Sequence, residues 1–557
     1  MLASQIKRRA MLAKSKAKKN KSEKEKEELI STYFTEEYKT NVSAVAYLGK
    51  KGYTIPKEHL RQEDIEFLKA DLYVKAETHG PTYGAPGGED DVAFPVYKEN
   101  SKKIYIPRFY GIERYGLPEK SEISQGESIN IDFVKELRDY QCKIIDVYMK
   151  HVSGEEINVG GGGILEVPCG AGKTVMALNI ISKLKKKTLI IVHKEFLMNQ
   201  WIERAQEFIP MAKIGKIQGP VFDVEGKDVV IGMLQTLYDR DFPENAFEGF
   251  GLTIIDEVHR IGSEQFSKTL LRVITKNMLG ISATVDRKDG LTKILHMFIG
   301  PKIYSEGRKN EDPVCVRAID YISSDPEFNT VEFDFRGNAK YSTMITKLCD
   351  FGPRSDFIVR VLGDLIKENP GKQIMVLCHN RSLLKYLYEA ILHRAFASVG
   401  YYVGGMKQKD LQITEEKQIV LATYAMAAEA LDIKTLSTLV MVTPKTDIIQ
   451  SVGRILRVKH ENPIIVDIVD RHDVFQNQFR QRKTFYRKCN YRIVSMDSVR
   501  YQGFPEDYMK SWSKVFEPRV FEPKVFEPRG SVNSKSNDSE IEEKVERKCL
   551  IQIDDTE

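Results

Sequence analysis

Val167-Pro168-Cys169-Gly170-Ala171-Gly172-Lys173-Thr174 follows an apolar run at 164–167 and leads into a stretch of helical spacing. A strand ending at Val167 and a helix beginning near Lys173 aim the loop's backbone amides at one anion. Lys173 then reaches the β and γ phosphates of a nucleotide, and the Thr174 hydroxyl can hold magnesium. Gly170 and Gly172 supply the flexible positions nearest the lysine. The strict phosphate-loop pattern asks for glycine at 167, where this chain has valine.

Working outward, the run Leu252-Thr253-Ile254-Ile255 delivers two adjacent carboxylates, Asp256 and Glu257, at the C-terminal edge of a buried sheet. Asp256 is expected to hold magnesium directly or through water. Glu257 is expected to orient and activate the attacking water. Together the two stretches point to hydrolysis of a nucleoside triphosphate by charge neutralisation and in-line positioning, without a covalent intermediate.

Around them, runs of Ile, Val and Leu at 164–167, 188–192, 229–232, 252–255 and 280–282 predict central parallel strands separated by amphipathic stretches. A second set at 374–377, 397–402, 418–421, 438–441 and 464–468 predicts another α/β unit. The expected organisation is a basic arm at 1–35, a small α+β accessory domain at 36–125 and a first α/β domain at 126–310. A linker or extension at 311–354, a second α/β domain at 355–500 and a C-terminal extension at 501–557 complete it. In the accessory region, 79–88 reads as a Gly/Pro-rich loop, and 94–97 and 103–109 read as strand pieces. Its aromatics Tyr105, Phe109 and Tyr110, with Lys103 and Arg108, suit either a base-stacking surface or a packed core. Near the end, Val515-Phe516-Glu517-Pro518-Arg519 recurs twice in nearly identical form, and a proline every fifth residue excludes a regular helix or central strand. The pentads read as an extended surface segment, and 531–557 as a polar tail.

At 557 residues, 42% apolar and 29% charged, the chain has the composition of a globular protein with a normal interior. The net charge is only +5, but residues 1–21 hold eight Lys or Arg and no acid. That block suits a polyanion or a solvated tail. The run Arg480-Gln481-Arg482-Lys483 is a further candidate for polyanion contact. Seven cysteines, without a CxxC pair, argue against a disulfide scaffold or structural zinc and for a reducing compartment. No apolar segment approaches the roughly 20 residues that span a bilayer, and the N-terminus lacks a secretory apolar core.

Asp256-Glu257-Val258-His259, Ser282-Ala283-Thr284 and Gln450-Ser451-Val452-Gly453-Arg454-Ile455-Leu456-Arg457 together resemble the ordered signature of superfamily 2 helicases. Leu137-Arg138-Asp139-Tyr140-Gln141 is similar to that family's adenine-side motif, with Gln141 as base reader. The matches run from about 130 to 490. The resemblance implies tandem RecA-like parallel-sheet motor domains that use ATP and Mg2+. Arg454 and Arg457 would face the nucleotide from the second domain, with Gln450 beside it. His259, Ser282, Thr284 and Asp432 would couple hydrolysis to motion. Asp432 lies in Thr423–Ile433, which resembles the motif that touches backbone and nucleotide cleft, although Ala430 stands where relatives carry glycine. His193, Gln235, Arg381 and Thr423 fall where family members contact the nucleic-acid backbone, and the loop at 404–407 resembles one near the same track.

Within the superfamily, the phosphate loop and Phe196-Leu197-Met198-Asn199-Gln200-Trp201 resemble the branch of DNA helicases and translocases acting in excision repair and transcription initiation. Ile106-Pro107-Arg108-Phe109-Tyr110-Gly111 and Ala425-Met426-Ala427-Ala428-Glu429 resemble the poxvirus late-transcription helicase and its relatives in large cytoplasmic DNA viruses. This implies a monomeric motor on single-stranded or duplex DNA, 3′ to 5′, serving viral transcription in the host cytoplasm, viral factory or virion. A duplex DNA translocase or annealing motor, an RNA helicase, and a nucleic-acid-binding scaffold with weak ATPase remain the alternatives.

Overall fold

Strands covered by helices on both faces are apolar in every position, so continuous Ile, Val and Leu runs form the middle of each sheet. The computed structural model describes residues 34–75, 93–153, 161–168, 170–258, 264–287, 290–306, 313–335, 337, 339–429, 433, 435–446, 448, 451–453, 456, 460, 462–505 and 507–518. Residues 1–33 of the basic arm, the loop at 79–88, the pentads from 519 and the polar tail lie outside the described residues.

The first motor sheet contains β1 (Gly162–Glu166), β2 (Thr188–Val192), β3 (Ile214–Gln218), β4 (Val221–Phe222), β5 (Val229–Met233), β6 (Leu252–Asp256), β7 (Asn277–Ser282) and β8 (Lys302–Ser305). Their order is β4-β3-β5-β2-β6-β7-β1-β8, all parallel except the β3–β4 hairpin. Helices Lys173–Leu184 and Glu195–Phe208 cover one face, where Trp201, Ile181, Leu178 and Ile254 pack into one core. Phe266, Phe298, Leu295 and Ile255 pack on the other. Each such side chain contributes roughly 1.5–3 kcal/mol on burial.

The second motor sheet contains β9 (Cys315–Tyr321), β10 (Gln373–Cys378), β11 (Val399–Tyr402), β12 (Ile419–Thr423), β13 (Leu436–Met441), β14 (Ile464–Asp470), β15 (Arg492–Asp497) and β16 (Ser513–Phe516). The order is β11-β12-β10-β13-β14-β9-β15-β16, again parallel except for the last pair. The architecture is therefore two tandem parallel-sheet α/β domains, as the apolar runs predict.

Three expectations need correction. Residues 315–321, expected in a linker or extension, supply β9 between β14 and β15. Arg317 interrupts this apolar run, but it is buried against Glu368 through two 2.6 Å hydrogen bonds and lies 4.4 Å from the Phe504 ring. The extension expected from 501 begins inside the domain: Tyr501, Phe504 and Trp512 join the second core, and Ser513–Phe516 adds an edge strand. The first pentad thus starts as part of the sheet.

The third concerns the accessory region. Strands Tyr47–Gly49, Gly52–Pro56, Lys98–Glu99, Lys103–Ile106 and Lys120–Ser121 form one sheet, packed on helices Glu36–Val45 and Arg108–Tyr115. The strand expected over 103–109 therefore stops at Ile106. Pro107 presets the turn into the helix, and Arg108 is buried, donating to the Thr275 and Lys276 carbonyls of the first motor domain. Arg108 holds the accessory domain in place instead of meeting a base.

Candidate nucleotide site and nucleic-acid edge

The phosphate loop leaves β1 at a core position. Val167 is fully buried and its N–H donates to the Ser282 carbonyl at 2.8 Å, so the valine ties the start of the loop to the end of β7. Beyond it the backbone turns left-handed at Gly170 and Gly172, each with φ +84°. A Cβ at Gly172 would stand 2.4 Å from Gln141 Nε2 on a left-handed backbone, so the position strongly favours glycine. Gln141 and Tyr140 each donate to the Ala171 carbonyl at 3.0 Å, and Gln141 Oε1 accepts the Arg138 N–H at 3.0 Å. The residue expected to read the base thus also braces the loop. Lys173 and Thr174 open helix Lys173–Leu184, whose N-terminal amides face the loop.

Asp256 ends β6 and Glu257 follows at φ +51°, a left-handed backbone rare for a side chain larger than glycine. That turn brings Glu257 Oε1 to 3.6 Å from Lys173 Nζ. Asp256 is buried, with Oδ2 accepting the Trp201 indole N–H and Oδ1 accepting the Glu257 backbone N–H, both at 2.9 Å. Burial first, then the Glu257 charge, push its carboxyl up to about 6, while Lys173 and the two N–H groups pull the other way. Nothing local to 196–201 signals this role for Trp201, because its partner lies 55 residues away.

Between these elements lies β7. Ser282 Oγ donates to the Thr284 carbonyl at 2.6 Å, and the following Val285 N–H donates to Glu166 Oε1 at 2.8 Å. Glu166 Oε2 also accepts from Ser305 Oγ at 2.6 Å and Lys302 Nζ at 3.1 Å. The end of β1, immediately before the phosphate loop, is therefore tied to the Ser282–Thr284 segment. Strand order sets Gln235, His193, Asp256, Ser282 and the phosphate loop along one C-terminal edge. Gln235 Nε2 donates to the His193 carbonyl at 3.1 Å across neighbouring strand ends.

The second sheet presents a matching edge. Arg381 opens helix Arg381–Arg394 after β10 and donates to the Gly404 carbonyl at 2.5 Å, while Thr423 ends the adjacent β12. His379 beside them bonds Thr443 Oγ1 through Nδ1 at 2.9 Å, and burial, with Lys445 nearby, pushes it down to about 4. It is neutral at pH 7. The expected residues His259, Asp432, Gln450, Arg454 and Arg457 lie outside the described residues. The run at 480–483 is corrected: Arg482 is buried in a two-point ion pair with Asp467 at 2.7 and 2.9 Å, with Tyr486 on the same carboxylate.

Comparison with known proteins agrees with this geometry. The family model "Type III restriction enzyme, res subunit" matches residues 134–287, and "Helicase conserved C-terminal domain" matches 358–459. The protein named "Putative ATP-dependent RNA helicase L396" of Acanthamoeba polyphaga mimivirus is 36% identical over 455 residues, 79% of this chain and 85% of that one. The chain belongs to the superfamily 2 helicases. This superfamily 2 helicase is an ATP-hydrolysing, nucleic-acid-translocating enzyme. It is also 28% identical to "Putative ATP-dependent RNA helicase QP509L" of African swine fever virus, isolate Tick/South Africa/Pretoriuskop Pr4/1996, over 68% of this chain and 78% of that one. "DNA 3'-5' translocase XPB2" of Sulfurisphaera tokodaii is 23% identical, covering 68% and 92%. No helix among the described residues is long and apolar enough to cross a membrane.

The donor set fits magnesium-bound ATP. A glycine cradle, an ammonium, a hydroxyl and one buried carboxylate match a metal that keeps oxygen ligands from water and phosphates. Thr174 and Asp256 would hold the metal, which when bound neutralises charge on the phosphates. The chain itself would supply the rest: loop amides and Lys173 would orient the triphosphate, and Glu257 would receive a proton from water.

Proposed function

We propose that this helicase is an ATP-driven motor that steps along RNA by gripping backbone phosphates, serving transcription in the cytoplasmic factory of a large DNA virus. The observation that carries the motor reading is the shared edge: His193 follows β2, the neighbour of the Asp256–Glu257 strand, and Gln235 follows β5 next to it, so closure around nucleotide and grip on a strand involve adjacent strand ends. Backbone contacts suit a motor that moves over arbitrary sequence. The mimivirus and swine fever virus relatives, named as RNA helicases, support RNA; their viral sources support the viral setting. Arg454 and Arg457 are assigned to the γ phosphate, Gln450 to the nucleotide, and His259, Ser282, Thr284 and Asp432 to coupling. His193, Gln235, Arg381 and Thr423 are assigned to the strand. The monomer is the working unit.

A second reading is movement on duplex DNA in the 3′ to 5′ direction, favoured by the relative named as a DNA 3'-5' translocase and by the restriction-enzyme family model. ATPase measured with single-stranded RNA, single-stranded DNA and duplex DNA separates the two, with Lys173→Ala and Glu257→Gln as controls. Equal turnover with and without every polynucleotide would sink the motor proposal. Displacement of strands from 3′-tailed and 5′-tailed duplexes then fixes polarity.

A further inference from the structure

The accessory domain meets the first motor domain along segments that enter β6 and β7 from their N-terminal ends, away from the phosphate loop. In this seam a cavity of about 160 Å³ is lined by Lys50, Lys51 and Lys98 from the accessory domain and by Phe242, Phe247 and Arg272 from the motor domain. The cations differ in how they are neutralised. Lys50 pairs with Glu248, and Arg272 meets Asp241 at 3.6 Å while donating to the Tyr238 and Arg240 carbonyls. Lys51 lies 5.3 Å from the Tyr105 ring centre. Among the described residues, no carboxylate lies within ion-pair distance of Lys51 or Lys98. Lys98 is half-buried; burial, then Arg272, Lys51 and Lys268, hold its ammonium below the usual lysine range. Lys268 is itself paired with Glu264. Asp241 and Glu244 also line the cavity.

We propose that this seam is a phosphate-binding site, in which Lys51, Lys98 and Arg272 hold a backbone phosphate of the polynucleotide outside the ATP-driven track. Cations gathered in a partly dehydrated recess repel one another until an oxyanion enters, so the arrangement favours a phosphate over a neutral ligand. The Phe242 ring beside the cations offers an apolar wall for a sugar or base. Such a contact is indifferent to sequence, as a moving motor needs, and keeps the strand tethered when the track releases it. The inference rests on the reading that the enzyme moves on a polynucleotide.

The test uses the full chain with Lys51→Ala/Lys98→Ala and the charge-retaining Lys51→Arg/Lys98→Arg. Affinity for labelled single-stranded RNA and duplex DNA is measured from low to high salt, and inorganic tripolyphosphate binding is measured calorimetrically with the phosphate loop filled by a non-hydrolysable ATP analogue. The alanine pair is expected to weaken polynucleotide binding about tenfold at low salt and to lower the salt slope by roughly 0.7–0.9, the value for one phosphate contact. The arginine pair should restore both, with ATPase in the absence of polynucleotide unchanged throughout. Wild-type affinity and slope in the alanine pair, for polynucleotide and tripolyphosphate alike, overturn the site. Loss of tripolyphosphate binding alone overturns the polynucleotide as its source and leaves a free polyphosphate. If the wild-type chain binds no polynucleotide, the motor reading fails, and the tripolyphosphate arm alone decides the pocket.

Discussion

The Trp201 indole N–H donates to Asp256 Oδ2 at 2.9 Å, across a 55-residue separation in the chain. With the Glu257 N–H on Oδ1, both oxygens of the proposed magnesium ligand are held in one rotamer. A hydrogen bond to a charged group is worth about 1.5–3 kcal/mol. Trp201→Phe keeps a ring in the core but removes the donor. We expect magnesium-dependent binding of a fluorescent ATP analogue to weaken several-fold, with magnesium-independent nucleotide binding unchanged. Identical magnesium titrations for both proteins would show the indole to be packing only.

The Asp256 carboxyl, raised to about 6, sets a pH limit. A raised carboxyl holds its proton more tightly in the folded chain, so the metal must displace that proton as pH falls through about 6. Half-saturation by magnesium should rise roughly tenfold per pH unit below that point. In the metal-free chain the sign is opposite for stability: the contribution of this group is present at low pH and is lost as pH rises through about 6. Glu257→Gln removes the neighbouring charge and should move the acid limb downward. An acid limb unmoved by Glu257→Gln would count against this electrostatic account.

Gly172→Ala places a methyl on a left-handed backbone, against Gln141 Nε2. Either the loop shifts or Gln141 leaves the Ala171 carbonyl. Nucleotide affinity is expected to fall at least tenfold, measured by equilibrium binding, while thermal stability drops by a few degrees. Wild-type affinity would mean that the loop geometry does not govern phosphate capture.

Arg482 tests how basic runs should be read. Removing one partner of a buried ion pair costs about 3–5 kcal/mol, so Arg482→Ala should destabilise the second motor domain in urea unfolding. Arg480→Ala, on the exposed side of the same helix, should leave stability within about 0.5 kcal/mol. Equal stability of the two variants would contradict the burial of Arg482 against Asp467.

Much of the nucleotide site was legible because its parts are local. The Gly172-Lys173-Thr174 turn and the carboxylates after 252–255 each lie within a few residues, and central parallel strands appear as unbroken apolar runs. Edge and internally charged strands were not legible. β9 carries Arg317, whose partner Glu368 is 51 residues away, and β16 sits beside a proline that hides it. Pro107 hid a helix start in the same way, because a residue fixed near one φ serves either an extended strand or a first turn.

By itself, then, the sequence determined where the glycine-rich loop lies, which strand ends in adjacent carboxylates, and that two parallel sheets carry them. Only the tertiary structure decided that Trp201 grips Asp256, that Glu166 ties β1 to the Ser282–Thr284 segment, and that Arg108 and Arg482 are buried supports. The physical reason is range. Backbone geometry and apolar period act over neighbouring residues, whereas a buried charge finds its partner wherever the packed chain happens to bring one.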